Sequence, residues 1–308
     1  MEKVDTGSSR TPLFSGALAA RTRAEHTDVD DTRIAYWVYE PVRVTPETRT
    51  ILVVHGFRGD HHGLLRVADQ LTEMRLIMPD LPGFGGSAAF GATEHSVAAY
   101  GGFLSGFMAA LGLGPDTVLL GHSFGSIVAS HFVAANPGAV AELILVNPIA
   151  APALEGPKGL MTKLAVLYYE AAARLPQGLG LALLRSQAIV RVMSVTMAKT
   201  GDKDIRRFVH AQHSSYFSAF ADRDSLLQAF KASVGNNVSE VAGQLALPVL
   251  LIAGEKDEIA VLADQHKLAA RLPDGTLDVI PGVGHLIHYE TPEPAARYIR
   301  RFLKDHAA

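Results

Sequence analysis

Six short apolar runs recur along this chain of 308 residues: Ile51–Val54, Arg75–Met78, Thr117–Leu120, Leu143–Val146, Val249–Ile252 and Leu277–Ile280. Each is nearly continuous rather than alternating, so each reads as a strand covered on both faces, as in a parallel sheet. Two weaker strands precede them, at about Thr22–Val29 and Arg33–Tyr39. Helical patterns lie between. Leu64, Leu65, Ala68 and Leu71 form one, Ser96–Leu111 a second, and Ile127–Ala135 a third. In the second, Val97, Tyr100, Leu104, Phe107, Met108 and Leu111 fall on one 3.6-residue stripe. Strands alternating with helices imply an α/β architecture with right-handed crossovers.

The alternation stops after Asn147-Pro148 and resumes at Val249. Between them the pattern predicts helices only. One stripe is Leu160, Leu164, Leu167, Tyr168, Ala171 and Leu175; another is Leu181, Leu184, Ala188, Val192 and Val195. Asp202 and Asp222 read as N-caps of two more helices. The simplest organisation is a core domain made of residues 1–148 and 245–308, with a helical cap, residues 149–244, inserted after the sixth strand. Apolar stripes at helical spacing usually face a core. We therefore expect these stripes, with Met161, Met193, Met197, Phe208, Tyr216, Phe217, Phe220 and Phe230, to pack a small helical unit, some of them lining an apolar pocket toward the sheet.

Composition narrows the function classes. There is no cysteine, which excludes disulfides, thiolate nucleophiles and Cys-ligated metals. Lys and Arg number 28 against 31 Asp and Glu, a formal charge of −3, so nothing points to nucleic acid. No apolar run approaches the ~20 residues of a membrane span. The polar opening Met1–Arg10 lacks the pattern of a signal peptide, and residues 14–20 are too short and too weakly apolar for its core. The expectation is a soluble cytoplasmic protein with no integral membrane part. A homodimer is compatible with the composition, which carries no positive sign of one.

The residues that carry chemistry stand at strand ends. Gly121-His122-Ser123-Phe124-Gly125 follows the strand Val118–Leu120 directly and precedes a helix. In that context G-x-S-x-G is a tight strand-to-helix turn that holds Ser123 exposed. A serine hydroxyl needs a base. His285 closes the glycine-rich turn after the last strand and is the choice among 13 histidines; His288, one helical turn on, reads as a supporting or surface group. Asp257 ends the run Leu250–Asp257 and would orient the imidazole, with Glu255 and Glu258 as solvated neighbours. The amides of Phe57 and Phe124 are the candidate oxyanion donors. The side chains of Phe57, His122 and Phe124 are candidate substrate contacts. His55 reads as a loop-holding residue.

These pieces resemble the α/β-hydrolase fold family over about residues 22–304. They are HGF at 55–57, DLPGFGGS at 80–87, GHSFGS at 121–126, GEKD ending at Asp257 and GVGH ending at His285. The chain order Ser…Asp…His is that family's. The resemblance implies a mostly parallel eight-stranded α/β-hydrolase sheet flanked by helices, with the insertion as its cap. It also implies a serine hydrolase that uses no metal or organic cofactor, acting on a small-molecule ester. Ser123 stands where haloalkane dehalogenases and epoxide hydrolases carry Asp. The loop His55–His61 lacks the HGGPG of proline iminopeptidases and the HGxGPG of C–C bond hydrolases, and is loosely similar to the HGxGEHSG of monoacylglycerol lipases.

The apolar cap implies a small to medium acyl or aromatic ester. The same triad serves C–C bonds, amides, lactones and thioesters on this scaffold. An arginine such as Arg58 or Arg185 facing Ser123 would favour a carboxylate-bearing substrate instead. A binding protein on the same scaffold would be expected to have lost a triad member, and all three positions are intact. Gly83–Ala88 fits a dinucleotide fingerprint but reads as a loop after a middle strand. His55, Asp60, His61 and His62 lack a known ligand spacing and read as a solvated or pocket-rim cluster. His210, His213, Arg206 and Arg207 read as a surface face of one helix.

Overall fold

The computed structural model of the chain describes residues 14–152 and 159–306, and of residues 159–162 the backbone alone. The polar opening Met1–Arg10, part of the 149–244 insertion and the side chains of Leu160 and Met161 lie outside the described residues. Eight strands form one sheet: β1 (Thr22–Val29), β2 (Thr32–Tyr39), β3 (Thr50–Val54), β4 (Arg75–Pro79), β5 (Val118–His122), β6 (Glu142–Val146), β7 (Val249–Gly254) and β8 (Gly275–Ile280). Their order is β1-β2-β4-β3-β5-β6-β7-β8. β2 is antiparallel to both β1 and β4, and the remaining pairings are parallel. The alternating sequence pattern thus folds into the sheet it predicts.

Helices α1 (Leu65–Gln70), α2 (Val97–Ala110) and α3 (Phe124–Ala135) link the first strands. Five helices follow β6: α4 (Gly159–Arg174), α5 (Gln177–Leu184), α6 (Gln187–Met197), α7 (Lys203–Tyr216) and α8 (Arg223–Gly235). α9 (Leu262–Ala269), α10 (Ile287–Glu290) and α11 (Pro292–Asp305) complete the chain. Because side chains alternate along a strand, each central strand feeds two cores. Leu52, Val54, Leu119, Leu143 and Leu251 pack under α2, α3 and α9. Ile51, Val53, Val118, Leu120, Ile144, Leu250 and Ile252 pack under α1, α10 and α11. That two-sided burial is why the runs read as continuous rather than alternating.

The helices after β6 start where the caps predict. The Asp202 carboxylate accepts from the amides of Asp204 (2.8 Å) and Ile205 (3.0 Å). Asp222 accepts from Asp224 (2.9 Å) and Ser225 (2.8 Å). Their packing differs from expectation in two ways. Most of their apolar residues join the sheet's core: Tyr169, Ala172, Leu184, Phe220, Leu226, Ala229 and Phe230 belong to the same cluster as Leu52, Val54 and Phe84, while Val209, Met197 and Phe208 pack a small cluster against Leu286 and Tyr289. The expected stripes also face the wrong way. Leu164, Leu167, Ala171 and Leu175 are exposed while Tyr169 and Ala172 are buried, and on α6 Ala188, Val192 and Val195 are exposed while Val190 and Ser194 are buried. Gln177–Met197 has the length and apolar composition of a membrane span, which the sequence reading missed. It is two helices, broken at Arg185-Ser186.

Arg58 ties this helical segment to the sheet. It follows β3 in a left-handed conformation (φ 59°), and its side chain is fully buried. Its Nε donates to the Phe217 carbonyl (2.9 Å), Nη2 to the Leu184 carbonyl (2.7 Å) and Nη1 to the Tyr169 hydroxyl (3.2 Å). Arg185 donates to the Phe220 carbonyl (3.1 Å), and both guanidiniums lie over the Phe220 ring. Backbone bonds from Gly85 to Ala219 (2.8 Å) and from Ala221 to Gly83 (3.0 Å) fasten the same stretch to the loop after β4. A buried donor network that loses its donor strands its acceptors at about 1–3 kcal/mol each. We expect Arg58→Met to lower the unfolding free energy by roughly 3 kcal/mol, read as a lower urea midpoint. Arg58→Lys should recover little, because one ammonium cannot reproduce a fork reaching three acceptors. An unchanged midpoint would mean that the freed carbonyls find other partners.

Candidate active site

The loops that carry the candidate residues leave the carboxyl ends of β3, β5, β7 and β8, where open parallel sheets place their sites. β5 runs through His122 and α3 begins at Phe124, so Ser123 alone makes the turn. The strand therefore enters the G-x-S-x-G motif two residues beyond its expected end, and the helix starts earlier than expected. Ser123 has φ 53° and ψ −116°, a region costing of order 1–3 kcal/mol for a residue with a Cβ. The flanking glycines are required by contact. A Cβ on Gly125 would lie 2.2 Å from the Val54 carbonyl oxygen, and one on Gly121 would lie 2.4 Å from that of Gly125. Ser126 holds the turn from below: its Oγ donates to the Ser123 carbonyl (2.5 Å) and accepts from the Ile149 amide (3.2 Å).

The structure brings Ser123, His285 and Asp257 together from three loops. Ser123 Oγ lies 2.8 Å from His285 Nε2, and His285 Nδ1 lies 2.7 Å from Asp257 Oδ2. A carboxylate only accepts, so Nδ1 carries the proton and Nε2 is left to accept from the serine. Asp257 Oδ1 accepts from the amides of Ile259 (2.8 Å) and Ala260 (2.9 Å). Burial opposes the Asp257 charge. The His285 charge and hydrogen bond, with those two amides, outweigh it and hold the carboxyl below its ordinary pKa. Glu255 and Glu258 are exposed, the one bonded to the Gly282 amide (2.7 Å) and the other paired with Lys199 (3.2 Å).

Asn147, which the sequence reading left without a role, ties the end of β6 to β7 and to the turn before His285. Its amide donates to the Ile252 carbonyl (2.8 Å) and its side chain to the Gly284 carbonyl (3.2 Å), next to His285. Its position at a strand's carboxyl end, directly before Pro148, was the available signal. Gln265, fully buried, donates to the Pro148 carbonyl (2.8 Å).

Gly56 lies beside the serine: a Cβ on it would be 3.3 Å from Ser123 Cβ. Neither the Phe57 amide nor the Phe124 amide, at the first position of α3, has an acceptor among the described residues. The Phe57 ring sits among Phe84 (6.0 Å), Tyr169 (5.8 Å) and Phe230 (5.6 Å). The Phe124 ring instead packs edge-on to Tyr100 in the core (5.5 Å) and is fully buried. His55 Nδ1 donates to the Gly56 carbonyl (2.8 Å), and its Nε2 accepts from the Leu81 amide (2.8 Å), the loop-holding role expected of it. The Asp80–Ser87 stretch is a loop fastened by its own side chains: Asp80 accepts from the Gly86 amide (2.8 Å), and Ser87 Oγ donates to the Asp80 carbonyl (2.7 Å).

Several histidines are placed differently from the sequence reading. Of the two places expected for His288, supporting or surface, the structure excludes the surface: it is buried and packs on His122 (4.2 Å), whose ring also neighbours His285 (5.6 Å). His213 is fully buried rather than on the surface. It shares Ser194 Oγ with His210, at 2.8 and 2.6 Å. Arg206 and Arg207 are solvated, as expected. Asp60, His61 and His62 hold donor atoms within 4.8 Å of one another, the one such metal-capable group among the described residues. His61 is buried, not solvated, between Trp37 (3.3 Å) and His62 (3.9 Å), and His62 stacks on Tyr216 (3.7 Å). Their Nδ1 atoms are bonded to Asp80 and Asp60 (3.0 and 3.2 Å). The group is a ring column joining β2 to α7.

Two predictions follow from this geometry. Ser123→Gly and Ser123→Ala both remove the hydroxyl, but only glycine relieves the turn. Ser123→Gly should be more stable than Ser123→Ala by about 1 kcal/mol in urea unfolding, and equal stabilities would show the turn to be unstrained. The second concerns pH. Burial drives His61, His122 and His213 down to about 3 and His95 to about 4, and lowers His55 and His288 as well. Each binds a proton more readily when unfolded. Their stabilising share is complete above pH ~6.5 and is lost as pH falls toward the folded values. Asp80 and Glu290, raised by burial, act in the opposite sense but are fewer. Tm should therefore fall steadily from pH 7 to pH 5, and His213→Gln should reduce that slope. A flat profile would contradict neutral burial.

The alpha/beta hydrolase fold family model matches residues 49–292. A lipase (Lipase 3) from Moraxella sp. (strain TA144) is 26% identical over 257 residues, covering 82% of this chain and 76% of the relative. A protein of Caulobacter sp. (strain K31) named for carbamate hydrolysis is 25% identical over 238 residues, 77% of this chain and 84% of the relative. Among solved structures, a thermophilic esterase from Thermogutta terrifontis superimposes with a TM-score of 0.72 at 23% identity, covering 93% of this chain and all of that one. With four-fifths of its length inside the family model and the matching sheet, the chain belongs to the alpha/beta hydrolase fold family.

Proposed function

We propose that this hydrolase cleaves carboxylic esters of small to medium apolar acyl or aromatic character through an acyl-enzyme. The observation that carries the reading is the continuous hydrogen-bonded line from Ser123 Oγ through His285 to Asp257, at 2.8 and 2.7 Å. His285 Nε2 takes the serine proton as Oγ attacks the carbonyl carbon. Asp257 stabilises the imidazolium that forms. The amides of Phe57 and Phe124 receive the developing oxyanion, at a helix start that also favours negative charge. The C–O bond breaks as His285 returns the proton to the leaving alkoxide. Water, deprotonated by the same nitrogen, then releases the acid and restores the serine.

Substrate character follows from what surrounds the serine. The rings of Phe57, Phe84, Tyr169 and Phe230 pack together next to Gly56, which lies against Ser123, and would offer apolar contact. The two arginines that would have argued for a carboxylate-bearing substrate are both spent on backbone carbonyls. That weighs against an acidic C–C cleavage substrate. The Caulobacter relative's name makes a carbamate the second reading, since attack by Ser123 at its carbonyl carbon uses the same groups.

A p-nitrophenyl ester series from acetyl to dodecanoyl tests the assignment. Turnover should show a chain-length optimum. It should fall roughly 10⁴-fold or more in Ser123→Ala and about 10³–10⁴-fold in Asp257→Asn. Absence of turnover on every ester by folded wild-type protein would overturn the ester reading, and a carbamate series would then be the next assay.

A further inference from the structure

α4 has two unlike faces. The inner one places Tyr169 on Phe57 and Phe230 (5.8 and 4.1 Å). The outer one carries Leu164, Leu167, Ala171 and Leu175, spaced by three and four residues and so aligned in one stripe. Leu164 is 51% exposed and Leu167 58%; on α5 Leu179 is 61% exposed. α6 repeats the arrangement with Val192 at 66% and Val195 at 55%. Large apolar side chains laid along helices and left in water mark an interaction surface.

The charges on the same helices say what kind of partner fits. Lys163 and Arg174 border the α4 stripe beside Leu167, Arg191 borders the α6 stripe, and all three are exposed. α5 and α6 contain no carboxylate, and Glu170, the one on α4, is bridged to Arg174 and Lys231 (3.4 and 3.6 Å). The chain as a whole is net negative at −3, so this cationic face runs against its average. A second copy docked about a two-fold axis would bring like charges together. An anionic bilayer surface satisfies both features, taking the apolar stripe into the acyl boundary and the cations at its headgroups. The Gln177–Met197 stretch suits lying in such a surface rather than crossing it. Its break at Arg185 and the bonding of Ser194 to His213 and Arg185 to Phe220 fix it to the protein.

We propose that the outward face of α4–α6 docks this protein on an anionic lipid surface, with Leu164, Leu167, Val192 and Val195 inserted and Lys163, Arg174 and Arg191 at the phosphates. The proposal concerns binding and does not depend on the bond cleaved.

Flotation of the full chain with vesicles tests it, using equimolar phosphatidylcholine and phosphatidylglycerol against phosphatidylcholine alone. Wild type should float with the anionic vesicles and less so at high salt. Leu164→Gln with Leu167→Gln should weaken that association by about tenfold or more. Lys163→Gln, Arg174→Gln and Arg191→Gln together should abolish the preference for phosphatidylglycerol. These residues are exposed, so the thermal melts and the turnover of p-nitrophenyl acetate should match wild type. Wild type that stays unbound with both vesicles, or leucine variants that float as well as wild type, would overturn the proposal. So would a wild-type dimer in sedimentation that the leucine variants convert to monomer, since a second copy would then cover the face.

Discussion

The contact on which this site depends is the approach of α3 to the end of β3. Gly125 lies so close to the Val54 carbonyl that any side chain there would collide with backbone. That approach has two consequences. It leaves one residue, Ser123, to reverse the chain between β5 and α3, at the expense of a backbone conformation that residues with a Cβ avoid. It also sets the first turn of α3 beside the loop after β3, where Gly56 lies against Ser123. The serine turn and the loop after β3 are brought together by one packing contact. Strain is tolerated there because the surrounding core, Val54, Leu119 and Ile127 among it, is fully buried and close-packed.

The remaining groups are held by bonds among loops that leave neighbouring strands. β7 and β8 are paired through Gly254 and Ile280, and beyond their ends the amides of Glu255 and Lys256 continue to the carbonyls of Ile280 and Val283. Asp257 and His285 are thereby delivered to one another with little freedom to lose. Above them, Arg58 uses three donors to hold three helical elements. A residue nominated from sequence as a substrate clamp is in this way a fastener.

The fold and the three side chains that meet at Ser123 were legible because each has a local signature. Two-faced burial writes continuous apolar runs, and Ser123, Asp257 and His285 each stand just past such a run. Asp202 and Asp222 announced their helices for the same reason, since a cap is a bond to an amide two or three residues on. The misread positions depend on what lies across space. The stripe on α4 is regular enough to be a core face, yet Tyr169 and Ala172 on the opposite face are the buried ones, because the deepest contact available was the ring cluster around Phe57. His61 and His213 lie in segments that look polar, and they are buried because Trp37 and Tyr289 stand over them. Ser194 and Asp80 accept or share their ring hydrogens, and no spacing in the chain points to those partners.

By itself, then, the sequence determined the element order, the parallel character of the sheet and which serine, histidine and aspartate stand at strand ends, because period, glycine placement and strand-end position are properties of neighbouring residues. The tertiary structure alone decided which face of each inserted helix is covered, what Arg58 does and which histidines are kept neutral. Those outcomes turn on burial and on partners more than 100 residues away, such as Arg58 with Leu184 and Phe217. Such partners are neighbours only in the folded chain.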